Sequence, residues 1–496
     1  MFVRNCCLLV LLLCWLPGCQ NDLPSPSPIV STTPLASPEP PPEVDVVIVG
    51  AGLSGLTTAY ELKKAGLTYR ILEMEPRVGG RVRTGTYPDQ AQAEVGLAEF
   101  WSGNPAVELA QELQVPLEKV EPGLSSFVVD GTTYPFTTYE TNQEFIKSAL
   151  KDDYPAYQGW DQRMAQLIHT LEEGHPGPEL LKLKDISFYD WLEEQPGLTP
   201  LARGMVRAVM EPEIGTDIRR ISALDGIAEW HLFVGDGAVP WHCVGGNQKL
   251  PEALARAVGL ENITLNAQAT NVLDHEAGVE VRAVDTSNFQ NYSFKAKYCV
   301  LTMPLYRLFE VQFEPRLSEQ VYEAVHSQGW GAYFTAHCIL KKEAEKYWTV
   351  DGVNFLPLLH GGPLGVIYPG HDPVGDDKIM VNLLVTGAAA EQYNSRTRSF
   401  DDVQKMIEEG MEESFPGITP MIERWTFYRY HPRAIASWPV KRSRFDELSE
   451  LMRKPHGRLY FAGDFTEGTH SDGAMKSAYR VSRLIKERAA DRSDQK

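Results

Sequence analysis

No stretch of the chain restricts its fold more than Asp45–Glu73, DVVIVGAGLSGLTTAYELKKAGLTYRILE. Val46-Val47-Ile48-Val49 is continuously apolar, as a parallel strand buried on both faces requires. Gly50-Ala51-Gly52-Leu53-Ser54-Gly55 comes next, then an amphipathic run to Lys64, with Gly66 suited to stop a helix. A second apolar strand, Tyr69–Leu72, ends on Glu73. Gly50 permits a tight turn, Gly52 lets a pyrophosphate approach the backbone, and Gly55 lets helix and strand pack closely. The helix N-terminus at Leu53 and Ser54 offers free N–H groups and a positive dipole to phosphates. Glu73, roughly twenty residues past the glycines, suits the hydroxyls of a ribose. Strand, glycines, helix, strand and acid arrive in register, which predicts a βαβ unit that binds a dinucleotide.

The residues just past the acid narrow the dinucleotide. Arg77-Val78-Gly79-Gly80-Arg81-Val82-Arg83-Thr84 places a glycine pair and arginines there, where a guanidinium such as that of Arg81 can neutralise pyrophosphate charge. Three later segments belong with it: Glu94-Val95-Gly96-Leu97-Ala98-Glu99-Phe100-Trp101, Gly245-Gly246-Asn247-Gln248-Lys249-Leu250, and Leu459-Tyr460-Phe461-Ala462-Gly463-Asp464 continuing to Ser471-Asp472-Gly473-Ala474-Met475-Lys476-Ser477. Together these segments resemble the flavoprotein amine oxidase family over about residues 44–488. The resemblance implies an α/β fold: a Rossmann-like FAD-binding domain of the GR2 type with an inserted α+β substrate domain. It implies FAD contacts at Gly50, Gly52, Leu53, Ser54, Gly55, Glu73, Gly80 and Arg81, then at Gly96, Leu97 and Ala269. At the far end it implies Asp464, Gly473, Ala474 and Met475, the Met475 N–H facing flavin N1/C2=O at the start of the last helix. No cysteine lies near Trp438, so the FAD is expected to be non-covalent.

The expected organisation is discontinuous. Residues 1–19 read as a signal with a lipobox-like Leu16-Pro17-Gly18-Cys19, its cysteine the site of a lipid anchor. Residues 20–43, rich in Pro, Ser and Thr, read as a disordered stalk. The FAD-binding domain is assigned to 44–125, 236–305 and 421–488. The substrate domain takes 126–235, mostly helical, and 306–420, mostly sheet. The catalytic body is thereby placed outside the cytoplasm, tethered to a membrane. Four of the seven cysteines (Cys6, Cys7, Cys14, Cys19) fall in the signal; Cys243, Cys299 and Cys338 lack metal-like spacing and read as buried thiols. A net charge of −19 without a basic block argues against a nucleic-acid partner.

Only one dinucleotide fingerprint is present, so nothing in the sequence speaks for NAD(P)H binding. The resemblance implies hydride transfer from an amine to FAD, with O₂ as acceptor and H₂O₂ released, in a site that orients the amine between aromatic walls. Trp438 and His470 fall at the two wall positions. The family's flavin-side lysine belongs within Ala332–Leu340, AYFTAHCIL, which has none; His337 is a weak substitute. Where some amino-acid oxidases carry an arginine that clamps a carboxylate, this chain has Glu99, which would repel a carboxylate and attract an ammonium. The substrate expected is therefore a small cationic amine. Two alternatives stand beside it: a flavoenzyme of the same fold acting on an apolar, membrane-derived substrate, and a flavin-binding lipoprotein without catalysis.

Overall fold

A computed structural model describes residues 43–87, 92–120, 125–174, 176–370 and 375–493; the expected signal and nearly all of the expected stalk lie outside these residues. Strand β1 (Val44–Val49) leads through Gly50–Gly52 into helix α1 (Leu53–Lys64) and back through β2 (Tyr69–Leu72). β2 pairs parallel with β1, Val46 opposite Tyr69 and Val49 opposite Leu72. On its other side β1 pairs parallel with β3 (Asn291–Leu301). The period of two is visible in the cores. Val46 and Ile48 enter one apolar cluster, with α1 and Lys249–Val258, while Val47 and Val49 enter another on the opposite face. Burial on both faces explains why the strand sequence is uniformly apolar.

This first sheet has eight strands, ordered Ile263–Thr264, β2, β1, β3, Val279–Asp285, Ala267–Asp274 and Gln312–Glu314, with Leu459–Phe461 also on β3. A second sheet of seven strands runs from β5 (Ile422–Ser437) through β4 (Gly329–Lys341), Lys378–Thr386, Gly365–Pro369 and Leu358–Gly361 to the hairpin Ser126–Val129/Thr132–Tyr134. That hairpin turns at Asp130-Gly131, both at positive φ (49° and 76°), as a two-residue loop between twisted strands demands. The described residues between 142 and 232 are mostly helical, and their core includes Phe127 and Val129 of the hairpin. It contributes α2 (Pro200–Ile214) and α3 (Ala223–Glu229). Thr199 caps α2 at one end and left-handed Gly215 (φ 64°) terminates it at the other.

Sheet membership crosses two expected boundaries. Residues 312–314 pair with Ala267–Asp274, so the first sheet continues past 305. The hairpin after 125 joins the second sheet at its edge. The return expected at 421 comes later: β5 pairs along its length with β4, from Leu340 opposite Ile422 to Gly329 opposite Ser437. Register against β4, which local sequence does not encode, holds these sixteen residues in the second sheet.

Candidate active site

A cavity of about 870 Å³ runs from the β1–α1 turn, across the end of the last helix, into the space between the second sheet and the helical segment. Its first stretch is walled by Gly50, Gly52, Leu53 and Ser54, with Glu73 at the tip of β2. Gly50 adopts φ 112°, and a Cβ there would lie 2.5 Å from Thr302 Oγ1. Gly55 faces inward, where a Cβ would stand 2.0 Å from the Gly50 carbonyl oxygen. It does not line the cavity; its expected cofactor contact is replaced by the packing role that brings helix against turn. Within α1 the Leu56 N–H is bonded to Gly52 O (3.0 Å), leaving the N–H groups before it without acceptors in the helix. Glu73 Oε2 accepts from the Ala51 N–H (2.7 Å) and Oε1 from the Glu75 N–H (2.9 Å). Burial raises its pKa despite those two donors. Gly80 lies across from Gly52, where a Cβ would meet the Gly52 Cα at 3.3 Å.

Further along, Gly96, Leu97 and Ala269 line the wall. Gly96 is required because a Cβ would fall 2.0 Å from Arg81 O, which also accepts the Leu97 N–H (3.1 Å). Arg81 lines the cavity, but its guanidinium forms a two-pronged pair with Asp464 (2.7 Å on both prongs) and donates to Ala434 O (2.6 Å). Asp464 also accepts the Ala436 N–H (3.0 Å). The pair ties β5's end to the first sheet, so Arg81 is anchored to protein rather than held open for pyrophosphate, as its sequence position suggested.

The last helix, α4 (His470–Ser493), starts three residues before the expected Gly473. His470 opens it at φ 63°, and the Gly473 N–H already bonds back to Thr469 O (3.3 Å). The free N–H groups are therefore those of His470, Ser471 and Asp472, whose residues line the cavity together with Ala474. Met475 is fully buried and off the cavity, a turn too deep for its N–H to leave the helix ladder. Gly473 is also off the cavity; a Cβ on it would strike Gly468 O at 1.7 Å.

Beyond α4 the cavity becomes acidic. Glu99, Glu213 at the end of α2 and His470 all line it. His470 Nε2 lies 3.2 Å from Glu213 Oε1 and 3.6 Å from Glu229 Oε2. Burial opposes the imidazolium, but Glu213, Glu229, Asp472 and Asp464 outweigh it and the His470 pKa rises. Glu229, on α3, is held by Arg444 Nη2 and by the Thr469 hydroxyl (2.8 Å). Burial would raise its pKa, yet Arg444, His470 and His231 bring it down to about 2. Arg444 Nε also contacts Asp225 (2.8 Å). Two cations, His470 and Arg444, thus serve Asp225, Glu213 and Glu229, and Glu99 has no cationic partner among the described residues. Burial first, then the Glu213 charge, push the Glu99 pKa up to about 7.

Two of the expected substrate residues need correction. Trp438 is fully buried outside the cavity; its Nε1–H donates to Ser449 Oγ (3.0 Å) and the Arg444 guanidinium stacks 4.9 Å from its ring. His470 enters the cavity, but as a cation between carboxylates rather than as an aromatic wall. The aromatic residues near the acids are Tyr333 and Tyr368, from the second sheet. Tyr333 donates to Pro212 O (2.9 Å) at the end of α2. Tyr368 is raised by burial, then by Glu94 and Glu99. His337 does not replace the missing lysine: it is buried off the cavity against the Tyr87 hydroxyl, and burial lowers its pKa to about 4. Cys243, Cys299 and Cys338 are free, buried and off the cavity.

The family profile of flavin-containing amine oxidoreductases matches residues 53–486. The chain belongs to that family. An L-amino-acid oxidase of Bothrops moojeni is 25% identical over 484 residues, covering 89% of each chain. A probable flavin-containing monoamine oxidase A of Dictyostelium discoideum is 22% identical over 482 residues, 90% of this chain and 98% of its own. Among solved structures, putrescine oxidase bound to putrescine superposes with a TM-score of 0.73 at 22% identity, covering 89% of this chain and 99% of that one. Cyclohexylamine oxidase from Brevibacterium oxydans gives 0.72 at 18%, covering 90% and 100%. At these identities the structural likeness is one of fold, and it agrees with the expected Rossmann-like architecture.

Family membership makes this chain an FAD-dependent enzyme and removes the carrier alternative. The residues present fit the cofactor. The glycine cradle of Gly50, Gly52 and Gly80 has no Cβ to obstruct it, Glu73 stands beside it at the tip of β2, and the starts of both α1 and α4, with their free N–H groups, line the one cavity.

Proposed function

We propose that the enzyme oxidises a primary amine, taken up as its ammonium, to an imine that water hydrolyses. The observation that carries this reading is the Glu99–Glu213 pair: two carboxyl groups face the cavity, and no cation accompanies Glu99 among the described residues. An ammonium supplies the missing charge and multiple donors for both acids. Ionised Glu99, poised near neutrality, then takes a proton from the ammonium and leaves the amine lone pair free. His470, held cationic by Glu213 and Glu229, keeps the free N–H end of α4 electropositive. Tyr333 and Tyr368 flank the acids and narrow the space for water. FAD, held by the glycine cradle and the starts of α1 and α4, would supply the hydride acceptor, with H₂O₂ as the product if O₂ reoxidises it.

Several relatives are named L-amino-acid oxidases, and that activity would need a guanidinium for the substrate carboxylate. Of the cavity arginines, Arg81 pairs with Asp464 and Arg307 with Glu310 (2.8 Å), Arg433 lies over the Tyr306 ring at 5.0 Å, and none of them neighbours Glu99. Anaerobic addition of primary amines to the yellow holoenzyme tests the proposal. Bleaching, followed by colour and peroxide on admitting air, is expected; a flavin that no amine bleaches refutes it. The signal-like residues 1–19 and the Pro/Ser-rich stretch after them support export and tethering through a lipid on Cys19.

A further inference from the structure

Past Glu213 the cavity continues into the helical segment. Met205, Val206 and Val209 line it from the same helix, at the three- and four-residue spacings that place them on one face with Glu213. One face of α2 thus carries an acid at its C-terminal end and an apolar wall above it. Eight residues of helical rise set Met205 about 12 Å from Glu213 along the axis. Phe127, Phe145 and Leu359 also line this arm. Phe127, Phe145, Met205 and Val206 belong to the core of the helical segment, where close packing leaves few voids larger than a water molecule. Here those side chains face open space contiguous with the acid pair.

We infer that this arm holds the tail of the substrate, and that the preferred amine carries an unbranched alkyl or arylalkyl chain of about eight to ten carbons. The inference rests on the amine reading above and refines it. With the ammonium at Glu99 and Glu213, a tail along α2 is fully desolvated. Beside Val206 and Val209 a second ammonium would be a charge buried against apolar side chains; Glu172, the acid that lines the cavity from the helical segment, is exposed to solvent. Short polar diamines are therefore poor ligands, and the apolar, membrane-derived substrate raised as an alternative becomes compatible with amine chemistry. The same void could instead carry dioxygen, which the test distinguishes.

The experiment titrates the holoenzyme anaerobically with n-alkylamines from propylamine to dodecylamine and with α,ω-diamines of equal length, following flavin absorbance. Affinity is expected to strengthen by up to about fourfold per methylene until about eight to ten carbons and then to level, each diamine binding at least tenfold more weakly than its monoamine. Val209→Trp, close to Glu213, should make affinity level at a shorter chain, and Met205→Trp at an intermediate length. The wild-type series decides the matter even if neither variant folds. Affinity independent of chain length, or diamines bound as tightly as monoamines, overturns the inference. So does a Val209→Trp enzyme that reoxidises slowly in air with an unchanged chain-length profile, which would make the arm a gas path. Failure of every amine, short and long, to bleach the flavin would overturn the amine reading itself.

Discussion

Replacing Glu99 with Gln keeps the side chain's shape and removes its charge. An ammonium about 4 Å from a carboxylate gains about 4 kcal/mol at an effective dielectric of about 20. Desolvation of the ammonium offsets part of that, and deleting one charged hydrogen-bond partner costs about 1.5–3 kcal/mol. The net loss should therefore be about 2–3 kcal/mol, or roughly 30- to 150-fold in Kd. The pH profile carries the same information independently. Glu99 has its pKa raised to about 7, so it is neutral below that pH and a carboxylate above it. Wild-type Kd for a primary amine should tighten about tenfold per pH unit up to about 7 and then flatten. In Glu99→Gln the break near 7 should vanish. Anaerobic titration of flavin absorbance between about pH 5.5 and 8.5, a range that brackets the shifted pKa, measures both. An unchanged Kd at pH 8, or a break that persists in the variant, would refute the assignment of Glu99 to the ammonium.

Other consequences are testable on the same protein. Glu94 is buried and raised to about 8, against 4.5 for an ordinary glutamate. Between those pH values the folded protein keeps a proton that the unfolded chain releases, so stability falls as pH rises. Glu94→Gln should flatten that slope by about 1.4 kcal/mol per pH unit, read from Tm or denaturant midpoints. Arg444→Met leaves Asp225 and Glu229 buried without their cation and should cost about 3–5 kcal/mol, part of it restored by adding Asp225→Asn and Glu229→Gln. Gly55→Ala forces the α1 backbone off the Gly50 carbonyl and should yield folded but colourless protein, checked by flavin content and circular dichroism. Under the proposed tethering, Cys19→Ala should abolish incorporation of a labelled fatty acid into the protein.

Local chemistry made the nucleotide half legible. The Gly50–Gly55 turn, the limits of α1 and the acid Glu73 each arise from residues within a few positions of one another. The Glu99 charge was readable too, because its segment has a recognisable place beside a flavin. Its partner Glu213 was not: it lies more than a hundred residues away, beside Pro212 in an ordinary helix end. Glu229 left a faint signal, an acid inside the apolar run Gly226-Ile227-Ala228-Glu229-Trp230, where an unpaired charge could not stay buried. Trp438 lies off the cavity, and position along the chain does not say which face of the β5 end meets it. The expected start of α4 at Gly473 lies one turn late, because Thr469 supplies the first carbonyl and His470 makes the left-handed turn, features that the Gly473-Ala474-Met475 motif does not reveal.

The most direct test compares a primary amine with the L-amino acid of the same side chain, phenethylamine against L-phenylalanine. The rate and affinity of anaerobic flavin reduction are measured for both at pH 8. On the proposed reading Glu99 and Glu213 hold an ammonium and repel a carboxylate, so the amine should be favoured by at least about a hundredfold in kred/Kd. Reduction of the flavin by the amino acid as readily as by the amine would contradict the placement of the ammonium at this acid pair.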